Sequence, residues 1–251
     1  MSRPFDSYAA YYDLLYADKD YAGEAAYVDS IIRRHRPNPG SLLELGSGTG
    51  AHAVHFGKLG YDVHGIDSSP SMVQRAKARD VSHCPSTPVF EVADLRTFRA
   101  GRSFDAVVSL FHVMSYQVGD DDLAAAMKTA SGHLSQGGVF VFDCWYGPGV
   151  LADPPTSRVR HLSGDGVSIV RTAHPTHDAK THRVDVRFDI IVERHGDRER
   201  IAELHPMRYL FMEEVDSFLE QAGMRRVATT AWGHDDLQNG RPWYACFAAV
   251  R

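Results

Sequence analysis

Apolar and polar positions fall into two regimes along the chain. In the first, short apolar runs alternate with stretches of helical spacing. "SLLELG" is an apolar run ending in glycines, and Ala51 to Leu59 reads as a helix closed by Gly60. "YDVHGID" predicts a second strand. "SSPSMVQRAKAR" predicts a helix with Ser69 as N-cap and Pro70 at the first helical position, where its missing N–H costs little. "PVFEVAD" and "FDAVVSLF" predict the third and fourth strands. "DDLAAAMKTASGHL" predicts a helix stopped by Gly137 and Gly138, and "GVFVFD" a fifth strand. Strands alternating with helices imply a parallel sheet with right-handed crossovers.

From about Val150 the pattern changes. "SRVRHL", "VSIVRTAH", "HRVDVRFDIIVER" and "ERIAELHPMRYLF" show alternation or β-branched enrichment. Gly164-Asp165-Gly166 and His195-Gly196-Asp197 supply turns. Three or four antiparallel strands are expected over about 151–207. In "MEEVDSFLEQAG", Val215, Phe218, Leu219 and Ala222 keep helical spacing and Gly223 supplies the stop. "RRVATTAW" and "WYACFAAV" close the chain as a pair of strands. The antiparallel block therefore reads as an insertion before the last helix of a single domain, 1–251.

Composition narrows the partners. The net charge is -5 over 251 residues, with Lys and Arg scattered, so no basic field favours nucleic acid. Cys84, Cys144 and Cys246 form no CxxC pair, which argues against a disulfide framework or a cysteine zinc site. No run reaches the ~18 apolar residues that cross a bilayer. "MSRPFDSYAAYYD" has no apolar h-region. A reducing, cytoplasmic setting is expected, with neither membrane nor nucleic acid as partner.

"LLELGSGTG", Leu42 to Gly50, follows the first strand and opens a helix, the context of a nucleotide-binding loop. Against the dinucleotide spacing G-x-G-x-x-G, the third glycine comes one residue early and Ala51 stands in its place. Glu44 lies two places before the first glycine. A pyrophosphate there wants positive potential, and a carboxylate ~4 Å away would oppose it by roughly a kcal/mol or more. S-adenosylmethionine carries an ammonium and a sulfonium and no phosphate, so an acid near its amino-acid end is an asset. Asp67 ends the second strand, where an acid can accept ribose hydroxyls. Asp94 ends the third, placed for an adenine amino group, with the Leu95 N–H facing the ring.

"ELGSGTG", "GIDSSPSM", "VADL" and "FDAVVSLF" resemble the successive motifs of class I S-adenosylmethionine-dependent methyltransferases, over about Leu42 to Asp143. The resemblance implies an α/β, Rossmann-like, seven-stranded, mostly parallel sheet with helices on both faces. It implies that Gly46, Gly48 and Gly50 meet the methionine part, Asp67 and Ser68 the ribose, and Asp94 and Leu95 the adenine. Met72 would pack on the adenosine, and Ser109 would face the cofactor. "YYDLLYADKDYAGEA" is similar to the entry segment of small-molecule methyltransferases that dimethylate amino groups of nucleotide-linked deoxysugars. In that group the segment is a lid, here 1–36, with Tyr12 and Tyr21 near the cofactor. An aromatic face beside a sulfonium gains ~0.5–2 kcal/mol. The other reading of these tyrosines is anchorage of an amphipathic lid.

A methyl acceptor would meet the segment after the fourth strand, "LFHVMSYQVGDDD", where His112 and Tyr116 can move protons. Asp143 could hold substrate, orient a base or cap a turn. Trp145 and Tyr146 are expected in the pocket wall. His205, Arg208 and Tyr209 offer a base, an anion clamp and an aromatic wall, although Arg208 could equally pair with Glu213 or Glu214. Trp243 suits core or rim. His52 with His55, and His174 with His177, have metal-like spacing but no evident third ligand, so no metal is expected and the helical pair reads as polar surface. The expected function is methyl transfer from S-adenosylmethionine to an amine or hydroxyl of a small molecule such as a sugar. A nicotinamide oxidoreductase and a catalytically silent cofactor-binding scaffold are the alternatives. The insertion's strand edges would suit a lid or a homodimer.

Overall fold

The computed structural model describes residues 11–164 and 166–251, without the side chain of Gln238. Its main sheet has seven strands: β1 (Ser41–Leu45), β2 (Asp62–Asp67), β3 (Val89–Val92), β4 (Phe104–Ser109), β5 (Leu134–Trp145), β10 (Arg225–Ala231) and β11 (Tyr244–Val250). They lie in the order β10-β11-β5-β4-β1-β2-β3. All neighbours are parallel except β11, which runs antiparallel to β5 and β10 between them. Leu42, Leu43 and Leu45 of β1 are wholly buried, as expected for a strand covered on both faces.

Helices cover both faces. On one, α2 (Tyr21–His35), α3 (Ala51–Lys58) and α4 (Pro70–Lys77) bury Ile32, Phe56 and Val73 with Leu42, Val63 and Val141. On the other, α5 (Asp120–His133) and α7 (Met212–Gln221) bury Met127, Leu219 and Val215 with Phe140, Phe142 and Phe247. Ser69 caps α4 by accepting from the Met72 N–H, with Pro70 at the first position.

Between β5 and α7 come the short α6 (Gly147–Ala152) and a second sheet. Its strands β6 (Arg158–Gly164), β7 (Val167–Asp178), β8 (Arg183–Arg194) and β9 (Asp197–Arg208) are antiparallel in sequence order. One face buries Ile169, Ile190, Val192 and Ile201 against Tyr12, Leu15 and Met72. That cluster ties the second sheet to α1 (Tyr12–Leu15) and α4.

The lid expectation over 1–36 needs a correction. Helix α2 packs Ala25, Val28, Ile31 and Ile32 into the main core, so it is wall and not cover. Residues 1–10 of that segment lie outside the described residues. No helix among the described residues is long and apolar enough to cross a membrane. Nor does any group of three or more metal-ligating side chains come together among them.

Candidate active site

A cleft of about 1140 Å³ opens where the carboxyl ends of β1, β2 and β4 face the second sheet. Its floor is the glycine loop. Gly46, Gly48 and Gly50 have φ of 79°, 54° and 76°, a region that disfavours any side chain. Two of these glycines also solve packing problems. A Cβ on Gly46 would lie 2.7 Å from Val113, and one on Gly50 would lie 2.8 Å from Phe90. At Gly48 nothing lies within 4 Å, so there the backbone is open to a ligand.

Asp67 fixes this loop, accepting from the Gly48 N–H at 2.9 Å and the Ser69 N–H at 2.8 Å. Burial raises its pKa, opposed by those two donors. Ser68, Met72 and Leu95 line the same end of the cleft. Asp94 lines it too, with its carboxylate forked onto Arg96, which also reaches Asp122 at 2.7 Å. The hydrogen bonds from Arg96 hold Asp94 below the usual carboxylate range.

Glu44 corrects the simplest electrostatic picture. It is not presented to the open cleft; it is 1% exposed, one residue before the end of β1. Burial, then the nearby charge of Asp67, push its pKa up to about 8. Its Oε2 has no hydrogen-bond partner among the described residues, and Oε1 lies 3.9 Å from His52 Nδ1. His52, expected at the surface, is buried and lines the cleft. Its Nε2 meets Glu24 Oε2 at 2.7 Å. Burial depresses the His52 pKa despite Glu24, so a neutral ring donates Nε2–H and leaves Nδ1 bare towards Glu44. Burial would raise Glu24, but hydrogen bonds from His52 and Lys19 outweigh it and bring Glu24 down to about 2. A buried carboxyl with an unsatisfied oxygen, two residues before the glycine loop, fits an ammonium-bearing ligand, which would supply the missing donor.

Aromatic rings form the roof. Tyr12, Tyr16 and Tyr21 line the cleft, with Tyr12 and Tyr16 packed around Phe111. Phe111 and His112 both have φ of 64°, a left-handed pair that costs ~1–3 kcal/mol per residue and marks a built site. Asp143 holds this kink: both its oxygens lie 3.2 Å from the His112 N–H. Its Oδ2 also sits 2.5 Å from His112 Nδ1, in a contact whose direction does not suit a hydrogen bond. Tyr244, on β11, stacks on His112 at 4.3 Å. Asp143 itself is wholly buried, so it supports His112 from below.

The opposite wall combines expected and unexpected residues. Tyr116, Trp145 and His205 line it, and Tyr116 Oη lies 2.8 Å from His205 Nδ1. Trp243 also faces the cleft, edge-on to Trp145 at 5.2 Å. The Trp145 Nε1–H is buried without a partner among the described residues.

Besides Glu44, Gly50 and Asp143, which do not line the cleft, four residues expected in the site lie elsewhere. Ser109 is beneath the floor, donating to the Leu45 carbonyl at 3.0 Å. Tyr146 packs on Phe247 in the core. Arg208 is buried between Asp120 and Glu214, the ion-pair alternative. Tyr209 is enclosed with Val150 and Val184, its hydroxyl 3.1 Å from His177.

Arg158, Arg160 and Arg171 line the cleft and were not anticipated. They stand on β6 and β7, where strand alternation turns them to the inner face, yet in sequence they read as ordinary strand polarity. Arg171 is braced over Tyr16 and Phe188, and Arg160 pairs with Asp18 at 3.1 Å. Arg158 has no ion-pair partner among the described residues.

Comparison with known proteins identifies the family. A methyltransferase-domain family profile matches residues 42–138. A Streptomyces venezuelae dTDP-3-amino-3,4,6-trideoxy-alpha-D-glucopyranose N,N-dimethyltransferase is 33% identical over 87% of this chain and 90% of its own length. The crystal structure of DesVI from the same organism superposes with a TM-score of 0.81 at 29% identity, over 96% of this chain and 97% of that one. CalS10, an amino pentose methyltransferase from Micromonospora echinaspora solved with S-adenosylmethionine bound, superposes at 0.74 with 25% identity, over 100% of this chain and 99% of that one. The nicotinamide alternative finds no support in these relatives. A glycine loop open at Gly48, a buried acid awaiting a donor and relatives of this length and likeness lead to one conclusion: the chain belongs to the S-adenosylmethionine-dependent methyltransferases.

Proposed function

We propose that the enzyme methylates the amino group of a nucleotide-linked deoxysugar, twice in succession. The observation that carries this reading is the inner face of β6 and β7. Arg158, Arg160 and Arg171 share one cleft with the glycine loop in a protein whose net charge is -5. Clustered guanidinium groups match a diphosphate, to which arginine donates bidentately. The relatives' own acceptors, amino groups of dTDP-linked deoxysugars, have that chemistry.

In this reading S-adenosylmethionine supplies an electrophilic methyl group for in-line displacement. Gly48 admits its amino-acid tail, Glu44 answers its ammonium, and Asp67 with Ser68 takes its ribose. Asp94 and Leu95 meet the adenine, and Met72 packs beneath it. Tyr12, with Tyr21 from the α2 wall, meets the sulfonium. His112 and Tyr116 face the acceptor nitrogen, and the Trp145 N–H offers a donor to the sugar. A neutral amine needs no base before attack. The chain's main contribution is orientation, which can supply ~7–11 kcal/mol.

The test is incubation with S-adenosylmethionine and a dTDP-3-amino-3,6-dideoxyhexose, followed by mass spectrometry. The expected product carries two added methyl groups on nitrogen. Methylation of hydroxy-sugars with untouched amino-sugars would reject the amine assignment, and no transfer to either would favour the scaffold alternative.

A further inference from the structure

Behind Tyr116 lies a line of buried polar groups that donor binding does not require. On β9, Ile201, Glu203, His205 and Met207 are alternate, buried positions of the strand. Two are apolar, as a core-facing strand demands. The others are a carboxylate at 0% exposure and an imidazole at 2%. Burying such groups is costly without hydrogen bonds. His205 Nε2 lies 3.1 Å from Glu203 Oε2, and Nδ1 lies 2.8 Å from the Tyr116 hydroxyl. An ionised carboxylate only accepts, so Nε2 carries the hydrogen, Nδ1 offers its lone pair, and Tyr116 donates to it. A phenol oxygen that donates its hydrogen can still accept one from the cleft, which Tyr116 and His205 both line.

We propose that Tyr116, His205 and Glu203 form a proton relay that clears the acceptor nitrogen between its two methylations. This rests on the amine reading above. The attacking lone pair forms the new N–C bond and leaves nitrogen as an ammonium, which cannot attack again. One N–H bond of that ammonium breaks, and its electron pair stays on nitrogen. The proton bonds to the Tyr116 oxygen while the phenol's own proton passes to His205 Nδ1. What remains is a neutral secondary amine, an intact phenol and an imidazolium held against the Glu203 carboxylate.

Tyr116 is the catalytic residue here, and Glu203 is a positioning residue that fixes the His205 tautomer. The phenol never has to become a phenolate. That suits a group whose pKa is driven well above the ordinary value by burial, then by Tyr16 and Glu203, with Arg171 opposing. These groups face the relay from β7, β9 and the segment after α1, while Phe188 of β8 packs edge-on to His205.

The test uses Tyr116→Phe and Glu203→Gln, both of which keep shape, with the dTDP-3-amino-3,6-dideoxyhexose as acceptor. Calorimetry with S-adenosylhomocysteine first establishes that each variant still binds cofactor. At neutral pH the wild type should release dimethyl product, and both variants should accumulate the monomethyl product. Their turnover of the second methylation should fall about a hundredfold, with KM for S-adenosylmethionine unchanged. The deficit should close in alkaline buffer, where solvent takes the proton.

A deficit equal at every pH, or profiles superimposed on that of the wild type, would overturn the relay. If Glu203→Gln does not fold, the Tyr116→Phe profile decides alone. A second readout is independent of turnover. The histidine 15N NMR signals lost in His205→Asn should report a bare Nδ1 in the cofactor-free wild type, and a protonated Nδ1 would equally sink the relay. A wild type that methylates no amino-sugar would remove the amine reading itself, whatever the tautomer.

Discussion

The two halves of the cleft are built on different physical terms. The donor half is mostly backbone: a strand end, three left-handed glycines and the Asp67 carboxylate that ties them down. The acceptor half is mostly side chains, brought by β6, β7 and β9 from positions far apart in sequence. Backbone sites tolerate few residue types, because a positive φ or a missing Cβ admits little besides glycine. Side-chain sites on antiparallel strands accept many residues without disturbing the ladder. On the proposed function, the donor half would fix what kind of reaction occurs, and the acceptor half could change what undergoes it.

The sharpest way to separate the halves is Gly46→Ala. A left-handed alanine costs roughly 1–2 kcal/mol, and overpacking against Val113 adds about 1–3 kcal/mol. The variant should lose several degrees of Tm in calorimetry and at least tenfold in S-adenosylhomocysteine affinity. Unchanged affinity would mean that the loop is not the donor site.

Next comes Arg158→Ala on the opposite wall. Loss of one charge-assisted contact, about 1.5–3 kcal/mol, should raise KM for the nucleotide-sugar tenfold or more and leave cofactor affinity intact. If cofactor affinity falls instead, the two halves are not separable.

Glu44→Gln gives a smaller, pH-dependent effect. The folded-state pKa of Glu44 is raised, to about 8 from an ordinary 4.5. Its contribution to stability is therefore complete below the ordinary carboxyl range and is lost as pH rises through about 8. Glutamine keeps the shape of the protonated acid without titrating. The variant's Tm should match the wild type in acid and exceed it in alkali. Wild-type protein should also release a proton on binding cofactor at neutral pH, seen as a buffer-dependent heat, and the variant should not.

The smallest change is Trp145→Phe. It removes an N–H that has no partner within the described protein, so Tm should hold within about a degree, and only the acceptor KM should rise.

Legibility in the sequence follows the same division. The strand–helix alternation and "ELGSGTG" made the parallel sheet and donor loop readable, because local backbone demands are written locally. The turn at Gly164–Gly166 and the alternation after it gave the second sheet, but alternation cannot say which sheet face meets the cleft. Hence Arg158, Arg160 and Arg171 passed as strand polarity, while Arg208 and Tyr209, at the end of β9 and just beyond it, read as cleft residues. His52 looked like helix surface because Glu24 and Glu44, which enclose it, come from other elements. Glu203 carried the one signal that was available and unread: a carboxylate two places from a histidine, between Ile201 and Met207 on a strand's buried side.

The position of β11 bears on how the protein is made. It fills a slot between β5 and β10 and carries Tyr244 onto His112. Until residues 244–250 emerge from the ribosome, both neighbouring strands present bare amide edges, and the histidine lacks its stacking partner. The seven strands can join only once this last of them has been made. A transcript truncated just before Tyr244 should yield insoluble, donor-binding-deficient product instead of a weakened enzyme.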